Sequence, residues 1–256
     1  MERIELFGLP VDAVEHRDVV VAAIARSLRE KTPLTVSFVN PSAWQTARRQ
    51  ADYAALLRAC DLVLPDGIGV VKALAWARGA RAARVSFDAS SLYLPVFAEL
   101  AARGCRVMVV GGVPGVAEQA MARMQAEFPG VALAPARDGY HPIPELTARI
   151  LAEQPDFVLC GMGAPYQERL LAALREAGYR GVAVTCGGFL DQLALKPRYY
   201  PAWIDRLELR WLYRIAMEPR RLLRRYAVDY LPFLLATATG ALRGLRTARN
   251  GRRAPA

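Results

Sequence analysis

Five short runs rich in Val, Leu and Phe recur along the first three quarters of the chain: Leu34–Val39, Leu62–Leu64, Val107–Val110, Phe157–Cys160 and Val182–Thr185. Each stops at a loop of small or polar residues, as buried parallel strands do. Between them, Ser42–Cys60, Gly115–Phe128, Pro144–Glu153 and Gln167–Ala177 carry apolar residues at helical spacing. The alternation predicts an α/β, Rossmann-like fold: a parallel sheet with helices on both faces. After about Lys196 the pattern changes. Trp203, Leu207, Trp211, Leu212 and Ile215 share one helical face, while Arg206, Arg210 and Arg214 repeat at every fourth position. This is the pattern of an amphipathic helix, ended near Glu218 by Pro219, which can also open a second helix carrying Arg220, Arg221, Arg224 and Arg225. The expected organisation is a core over residues 1–195, a basic α-helical C-terminal appendage over 196–249 and a disordered tail over 250–256.

Charge sharpens that division. Residues 196–256 hold 14 Lys+Arg and 4 Asp+Glu, a balance of 14 − 4 = +10, whereas residues 1–195 hold the remaining 20 and 20, a balance of zero. A neutral body with a basic tail calls for an anionic partner at the tail, and phospholipid, diphosphate and nucleic acid all have the right charge. Nucleic acid is the weaker choice, since no base-reading module is visible and the body offers no second basic surface. The N-terminus lacks the layout of a secretory signal. Leu231–Leu242, broken by Pro232 and Gly240, falls short of the roughly 20 apolar residues that cross a bilayer. These features predict a cytoplasmic protein, peripheral at the cytoplasmic face of the inner membrane through residues 196–249. Cys60, Cys105, Cys160 and Cys186 are scattered in or beside apolar runs and read as reduced core residues. His16 and His141 are too far apart to suggest a metal site or a histidine-based triad, and no metal or cofactor is expected.

In an open parallel sheet the ligand sits in the crevice beyond the carboxyl ends of the strands. The residues following the five runs are Asn40; Pro65-Asp66-Gly67; Gly111-Gly112; Gly161-Met162-Gly163 with Gln167 and Glu168; and Gly187-Gly188 with Asp191. Glycines and carboxyl or amide groups therefore converge on one rim. Pro-Asp-Gly by itself is equally a favourable turn. Gly161-Met162-Gly163-Ala164-Pro165 opens a helix whose free N–H groups could hold phosphate or a sugar hydroxyl. Neither glycine-rich loop matches the dinucleotide fingerprint and no P-loop occurs, which disfavours nicotinamide enzymes and ordinary nucleoside triphosphatases. There is no Asp-x-Asp pair to hold Mg²⁺ on a sugar diphosphate, and arginines can bind the phosphate oxygens instead.

Taken in order, these segments resemble the bacterial glycosyltransferases of the WecG/TagA/CpsF type. The resemblance rests on Asn40 with Ala59-Cys60-Asp61-Leu62-Val63-Leu64-Pro65-Asp66-Gly67-Ile68-Gly69, on Gly111–Ala117 and Asp138-Gly139-Tyr140, and on Gly163–Glu168 and Gly187–Asp191. Trp211-Leu212-Tyr213-Arg214 with Glu218-Pro219-Arg220-Arg221 completes it. It implies metal-independent inverting transfer from a UDP-sugar to a polyprenyl-diphosphate-linked saccharide, in surface or exopolysaccharide synthesis. Asp66 is then the base. Asn40, Gly67, Gly111, Gly112, Gly163, Gln167, Gly187, Gly188 and Asp191 bind substrate, and Arg214, Arg221 and Arg224 approach the diphosphate. Self-association through the core is also implied. Phe38 and Tyr166 depart from the residues common in the family and bear on donor choice. The competing reading from another class is a non-catalytic nucleotide-sugar-binding protein of the same fold.

Overall fold

A computed structural model of the chain describes residues 1–196, 203–204, 207, 210–217, 219, 228 and 230–240. Its centre is a six-stranded parallel sheet made of β3 (Leu34–Val39), β4 (Leu62–Pro65), β5 (Arg106–Gly111), β6 (Ala132–Leu133), β7 (Phe157–Gly161) and β8 (Val182–Thr185). The spatial order is β4-β3-β8-β7-β5-β6. All five expected strands are present, with boundaries that move by at most one residue. The two-residue edge strand β6 was too short to leave a periodic signal.

Ahead of the sheet lies an antiparallel hairpin that the apolar runs did not reveal, β1 (Glu2–Leu6) and β2 (Leu9–Ala13). Its connection is Phe7-Gly8, both at positive φ (51° and 86°), the geometry whose twist suits a two-residue hairpin. Arg3 and Asp12 join the two strands of the hairpin by a two-bonded ion pair (2.9 and 2.8 Å), and Asp12 ties the hairpin to the sheet by accepting from the Val63 N–H.

The helices sort by the face they cover. On one side are α1 (Arg17–Glu30), α5 (Tyr93–Ala102), α6 (Val116–Glu127) and α9 (Phe189–Leu195). On the other are the hairpin, α2 (Pro41–Arg49), α3 (Tyr53–Ala59), α4 (Ile68–Arg78), α7 (Ile143–Glu153) and α8 (Tyr166–Glu176). The strands feed both layers by strict alternation: Val107, Val109, Phe157 and Leu159 enter the first core, Met108, Val110, Val158 and Cys160 the second. Each such fully buried side chain contributes about 1.5–3 kcal/mol. Cys60, Cys105 and Cys160 are buried, as expected of core residues.

The sequence pattern predicts one helix over Ser42–Cys60, and the structure corrects it. The backbone leaves the helix at Gln50 (φ −130°, ψ 110°) and re-enters at Tyr53. Arg169 of α8 reaches Gln50 Oε1 and Asp52 Oδ2, each at 3.0 Å, so a contact 117 residues away in sequence occupies the break.

In the C-terminal region Arg210–Met217 is helical and Pro219 is helical as well, while Glu218, where the Pro219 signal places the helix end, lies outside the described residues. Of the apolar residues in this region, Trp203, Leu207 and Leu212 are exposed, whereas Ile204 is buried and Ile215 half-buried. Residues 231–240 form a second helix that does dock. Phe233 is buried in edge-to-face contact with Phe7 and Trp44, and Gln45 Nε2 donates to the Val228 carbonyl at 2.8 Å. Leu231, Leu234 and Leu235 face outward from this helix. Among the described residues no helix is long and apolar enough to cross a membrane. Arg206, the run from Arg220 to Arg225 and the tail 250–256 lie outside the described residues.

Candidate active site

The parallel sheet brings the loop glycines and polar residues to one rim, where they form two corners of different construction. The first lies beyond β3 and β4, whose last residues Val39 and Pro65 are paired. Asn40 caps α2: its Oδ1 accepts from the Ala43 N–H at 3.0 Å, which satisfies one of the free donors of the helix start. With its oxygen engaged there, the amide presents Nδ2 to Asp66 Oδ2 at 3.3 Å. The Asp66 N–H donates to the Val39 carbonyl at 2.8 Å, which anchors the turn beneath the carboxylate. Gly67 follows at φ 92° and starts α4. A left-handed residue is needed there to turn the chain away and leave the half-buried Asp66 at the surface.

A loop running beside this corner is tied to it by the Val85 N–H, which donates to the Pro65 carbonyl at 3.0 Å. The loop carries a compact polar cluster. Arg84 bonds Ser86 Oγ (2.6 Å), Ser90 Oγ (3.0 Å) and Asp88 Oδ2 (3.3 Å), and both serine hydroxyls also donate to Asp88.

The second corner is a hollow of about 810 Å³ beyond β5, β7 and β8. Six glycines line it, Gly112, Gly139, Gly161, Gly163, Gly187 and Gly188. Val113, Tyr140, His141, Pro142, Ile143, Met162, Tyr166, Arg169 and Asp191 complete the lining. His141 lies between two carboxylates, 3.4 Å from Asp138 and 3.2 Å from Glu145. The Arg169 guanidinium rests 5.8 Å from the centre of the Tyr166 ring while bonded to the α2–α3 break. A lining this rich in glycine lets a flat or extended ligand approach backbone N–H groups between the side chains, the arrangement that suits phosphate and ribose.

β8 is hydrogen-bonded to β3, so the Gly187 loop sits about one strand spacing, roughly 4.8 Å, from the Asn40 loop. Asp66 follows β4, on the far side of β3, about two strand spacings or roughly 10 Å from the Gly187 loop along the same rim. Beneath the junction of the corners lie Gln167 and Glu168 at the start of α8. Gln167 is only 7% exposed and its amide is engaged at both ends, Nε2 on Glu168 Oε1 (2.9 Å) and Oε1 accepting from the Gly187 N–H (3.3 Å).

The residues marked out by the sequence therefore fall into distinct groups. Asn40, Asp66 and Gly67 come together at the first corner, and Gly112, Gly163, Gly187, Gly188 and Asp191 at the hollow. Gln167 lies below the surface that it was expected to line. Gly111 sits where β5 crosses β7 closely: a Cβ there would lie 2.7 Å from Gly161 Cα, so backbone approach requires this glycine whatever the ligand. Arg214 is on the Arg210–Met217 helix with its side chain outside what is described, and Arg221 and Arg224 lie outside the described residues. His141 and Arg169 at the hollow were not picked out from sequence. His141 follows the Asp138-Gly139-Tyr140 segment and Arg169 is one residue past Glu168, so proximity to the glycine loops was the available signal.

Comparison with known proteins bears on this rim. The model of the glycosyl transferase WecG/TagA/CpsF family matches residues 4–247. A UDP-Gal:alpha-D-GlcNAc-diphosphoundecaprenol beta-1,4-galactosyltransferase of Shigella boydii is 28% identical over 203 residues, which covers 78% of this chain and 84% of the relative. An N-acetylglucosaminyldiphosphoundecaprenol N-acetyl-beta-D-mannosaminyltransferase of Bacillus subtilis is 28% identical over 201 residues, 78% of this chain and 77% of its own. Its counterpart from Bacillus spizizenii is 29% identical over 191 residues, covering 74% and 73%.

Proposed function

The chain belongs to the WecG/TagA/CpsF family of glycosyl transferases, and on that footing we propose that it moves a sugar from a UDP-sugar to the saccharide of a polyprenyl-diphosphate-linked acceptor. The observation that carries this reading is the adjacency of a carboxylate corner, Asp66 held by Asn40, to a glycine-lined hollow of nucleotide-sugar size. The nucleoside diphosphate occupies the hollow. The sugar extends across the Gly187 loop to Asp66.

Asp66 accepts the proton of the acceptor hydroxyl as that oxygen bonds to the anomeric carbon. The bond from this carbon to the diphosphate oxygen breaks, and its electron pair leaves with UDP. One displacement inverts the anomeric centre, in keeping with the beta linkages in the names of the relatives. The leaving diphosphate gathers negative charge, which Arg214, Arg221 and Arg224 neutralise in place of a metal; the missing Asp-x-Asp pair supports that assignment. Residues 196–249 hold the protein at an anionic membrane surface. Their net positive charge and the outward-facing Leu231, Leu234 and Leu235 support this placement, where the lipid-linked acceptor resides.

Product detection by mass spectrometry tests the reading, with purified protein, a panel of UDP-sugars and a short-chain polyprenyl-diphosphate-sugar acceptor, with and without EDTA. Transfer that survives EDTA is the expected result and identifies the donor. Binding of UDP-sugar without transfer from any donor would reject catalysis.

A further inference from the structure

The most unusual group in the molecule is a carboxyl that the transfer step does not use. Glu168 is 0% exposed. Its Oε1 accepts from Ser37 Oγ at 2.9 Å and from Gln167 Nε2 at 2.9 Å. Thr185 Oγ1 donates in turn to Ser37 Oγ at 3.3 Å, and the Gly187 N–H donates to Gln167 Oε1. Two hydrogen-bond chains, one through β8 and β3 and one through the pocket loop and α8, therefore end on a single oxygen atom.

The other oxygen has no such gathering. Glu168 Oε2 and Tyr53 Oη are the two buried side-chain polar atoms among the described residues with no other side-chain partner, and the Tyr53 hydroxyl faces the Glu168 carboxyl as its hydrogen-bonding neighbour. Around the carboxyl stand Tyr53 from α3, Cys60 just after it, Cys160 from β7, and the hydroxyls of Ser37 and Thr185. All are neutral: burial pushes the Cys60 thiol up to about 12, and raises the Cys160 thiol and the Tyr53 phenol as well. Among the described residues no Lys, Arg or His pairs with Glu168. A buried, uncompensated carboxylate costs several kcal/mol, which a bound proton removes. A carboxylic acid fits this fully buried setting without a cation, its carbonyl at Oε1 accepting from Ser37 and Gln167 and its hydroxyl at Oε2 directed toward Tyr53 Oη.

We propose that Glu168 is a positioning residue that works as the neutral acid, clamping Ser37 of the strand that leads into Asn40 and Gln167 under Gly187, so that the Asp66 corner and the hollow keep their relative register. The consequence for donor binding rests on the reading of the hollow as the UDP-sugar site; the protonation state does not. Burial raises the affinity of Glu168 for its proton, in line with the geometry.

The test uses the full chain and two variants. Glu168→Gln keeps a neutral carbonyl at one position and a donor at the other, whereas Glu168→Ala removes both. UDP binding is measured by calorimetry, and protonated carboxyl groups by the infrared carbonyl band of the wild type at neutral pH. The expected result is that Glu168→Ala weakens UDP binding by about tenfold or more, the scale of one or two lost hydrogen bonds. Glu168→Gln restores affinity to within about threefold of wild type, and removes the infrared band. In the transfer assay the Ala variant raises KM for the donor more than it lowers kcat. A folded Glu168→Gln protein as impaired as Glu168→Ala, UDP binding untouched in Glu168→Ala, or a wild-type spectrum without the band would each overturn the proposal. If Glu168→Ala does not fold, the Gln variant and the spectrum still decide. A wild-type chain that carries the band but binds no UDP rejects the donor reading and, with it, only the part of the proposal that concerns donor affinity.

Discussion

The two corners of the rim reach a ligand-ready surface by opposite means. At the Asp66 corner the chemistry is in side chains, and each is held by a specific bond: Asn40 by the α2 cap, Asp66 by Asn40 and by its own N–H. At the hollow six glycines open the backbone to a ligand, and shape comes from the side chains they leave out. The first arrangement is sensitive to changes of charge and hydrogen bonding at constant size, and the second to changes of size at constant charge. Substitutions of each kind separate the two.

The largest effect is expected from Asp66→Asn, which keeps size and removes the proposed base. Turnover should fall by about 10²–10⁴-fold while the melting temperature stays at that of wild type. Steady-state transfer rates and thermal unfolding measured side by side check this, and unchanged turnover would remove Asp66 from the base role. Asn40→Asp comes next. Aspartate still caps α2, but it no longer donates to Asp66 and sets a like charge beside it. Loss of one hydrogen bond to a charged group costs about 1.5–3 kcal/mol, or roughly 10–100-fold in kcat/KM.

At the hollow the useful contrast is between two glycines at positive φ. Gly111→Ala drives a Cβ into the Gly161 backbone and should cost about 1–3 kcal/mol in urea unfolding, in addition to the conformational penalty. Gly163→Ala meets nothing within 4 Å, so only its φ of 76° is strained, at a cost of about 1–2 kcal/mol. Equal losses at the two sites would mean that close packing of β5 on β7 is not what Gly111 supplies.

The remaining effect is a slope, small at any one pH step. Glu168 is held above the ordinary glutamate range by burial, so between the unfolded and folded values the native state carries the extra proton. Unfolding free energy must then fall as pH rises through that window, by at most about 1.4 kcal/mol per pH unit. The group's contribution is complete at acid pH and is lost toward neutral and alkaline pH. Urea titrations of wild type and Glu168→Gln from about pH 5 to about pH 8 should show the wild type losing stability relative to the variant. Parallel curves would contradict a buried proton on Glu168.

Much of the site was legible before the structure, for a local reason. Parallel strands buried on both faces are apolar throughout, so their ends are conspicuous, and in this fold the ligand lies at those ends. Asp66, Gly112, Gly163 and Gly187 could be located in that way. Gln167 and Gly111 were picked out on the same basis, and there the signal could not distinguish a residue on the surface of the rim from one just beneath it. The hairpin β1–β2 escaped notice because its pairing is with itself and with Val63, neither of which shows in a run of apolar residues. The Gln50–Asp52 break escaped because Arg169, which bonds it, is supplied by a different helix.

The sequence by itself determined the class of fold, the five principal strands, the glycines and carboxylate at their ends, and the concentration of positive charge after residue 195. Each is a property of neighbouring residues: periodicity, turn chemistry or composition over a short span. Tertiary structure alone decided the order β4-β3-β8-β7-β5-β6, the contact of Asn40 with Asp66 and the enclosure of Glu168 among β3, α3 and β8. These depend on which strands become neighbours, and local periodicity reads the same for any order of the sheet. A glutamate beside a glutamine at a helix start has the sequence of a solvated cap. It becomes a buried acid only because the strand next to it, 131 positions earlier in the chain, brings Ser37 against it.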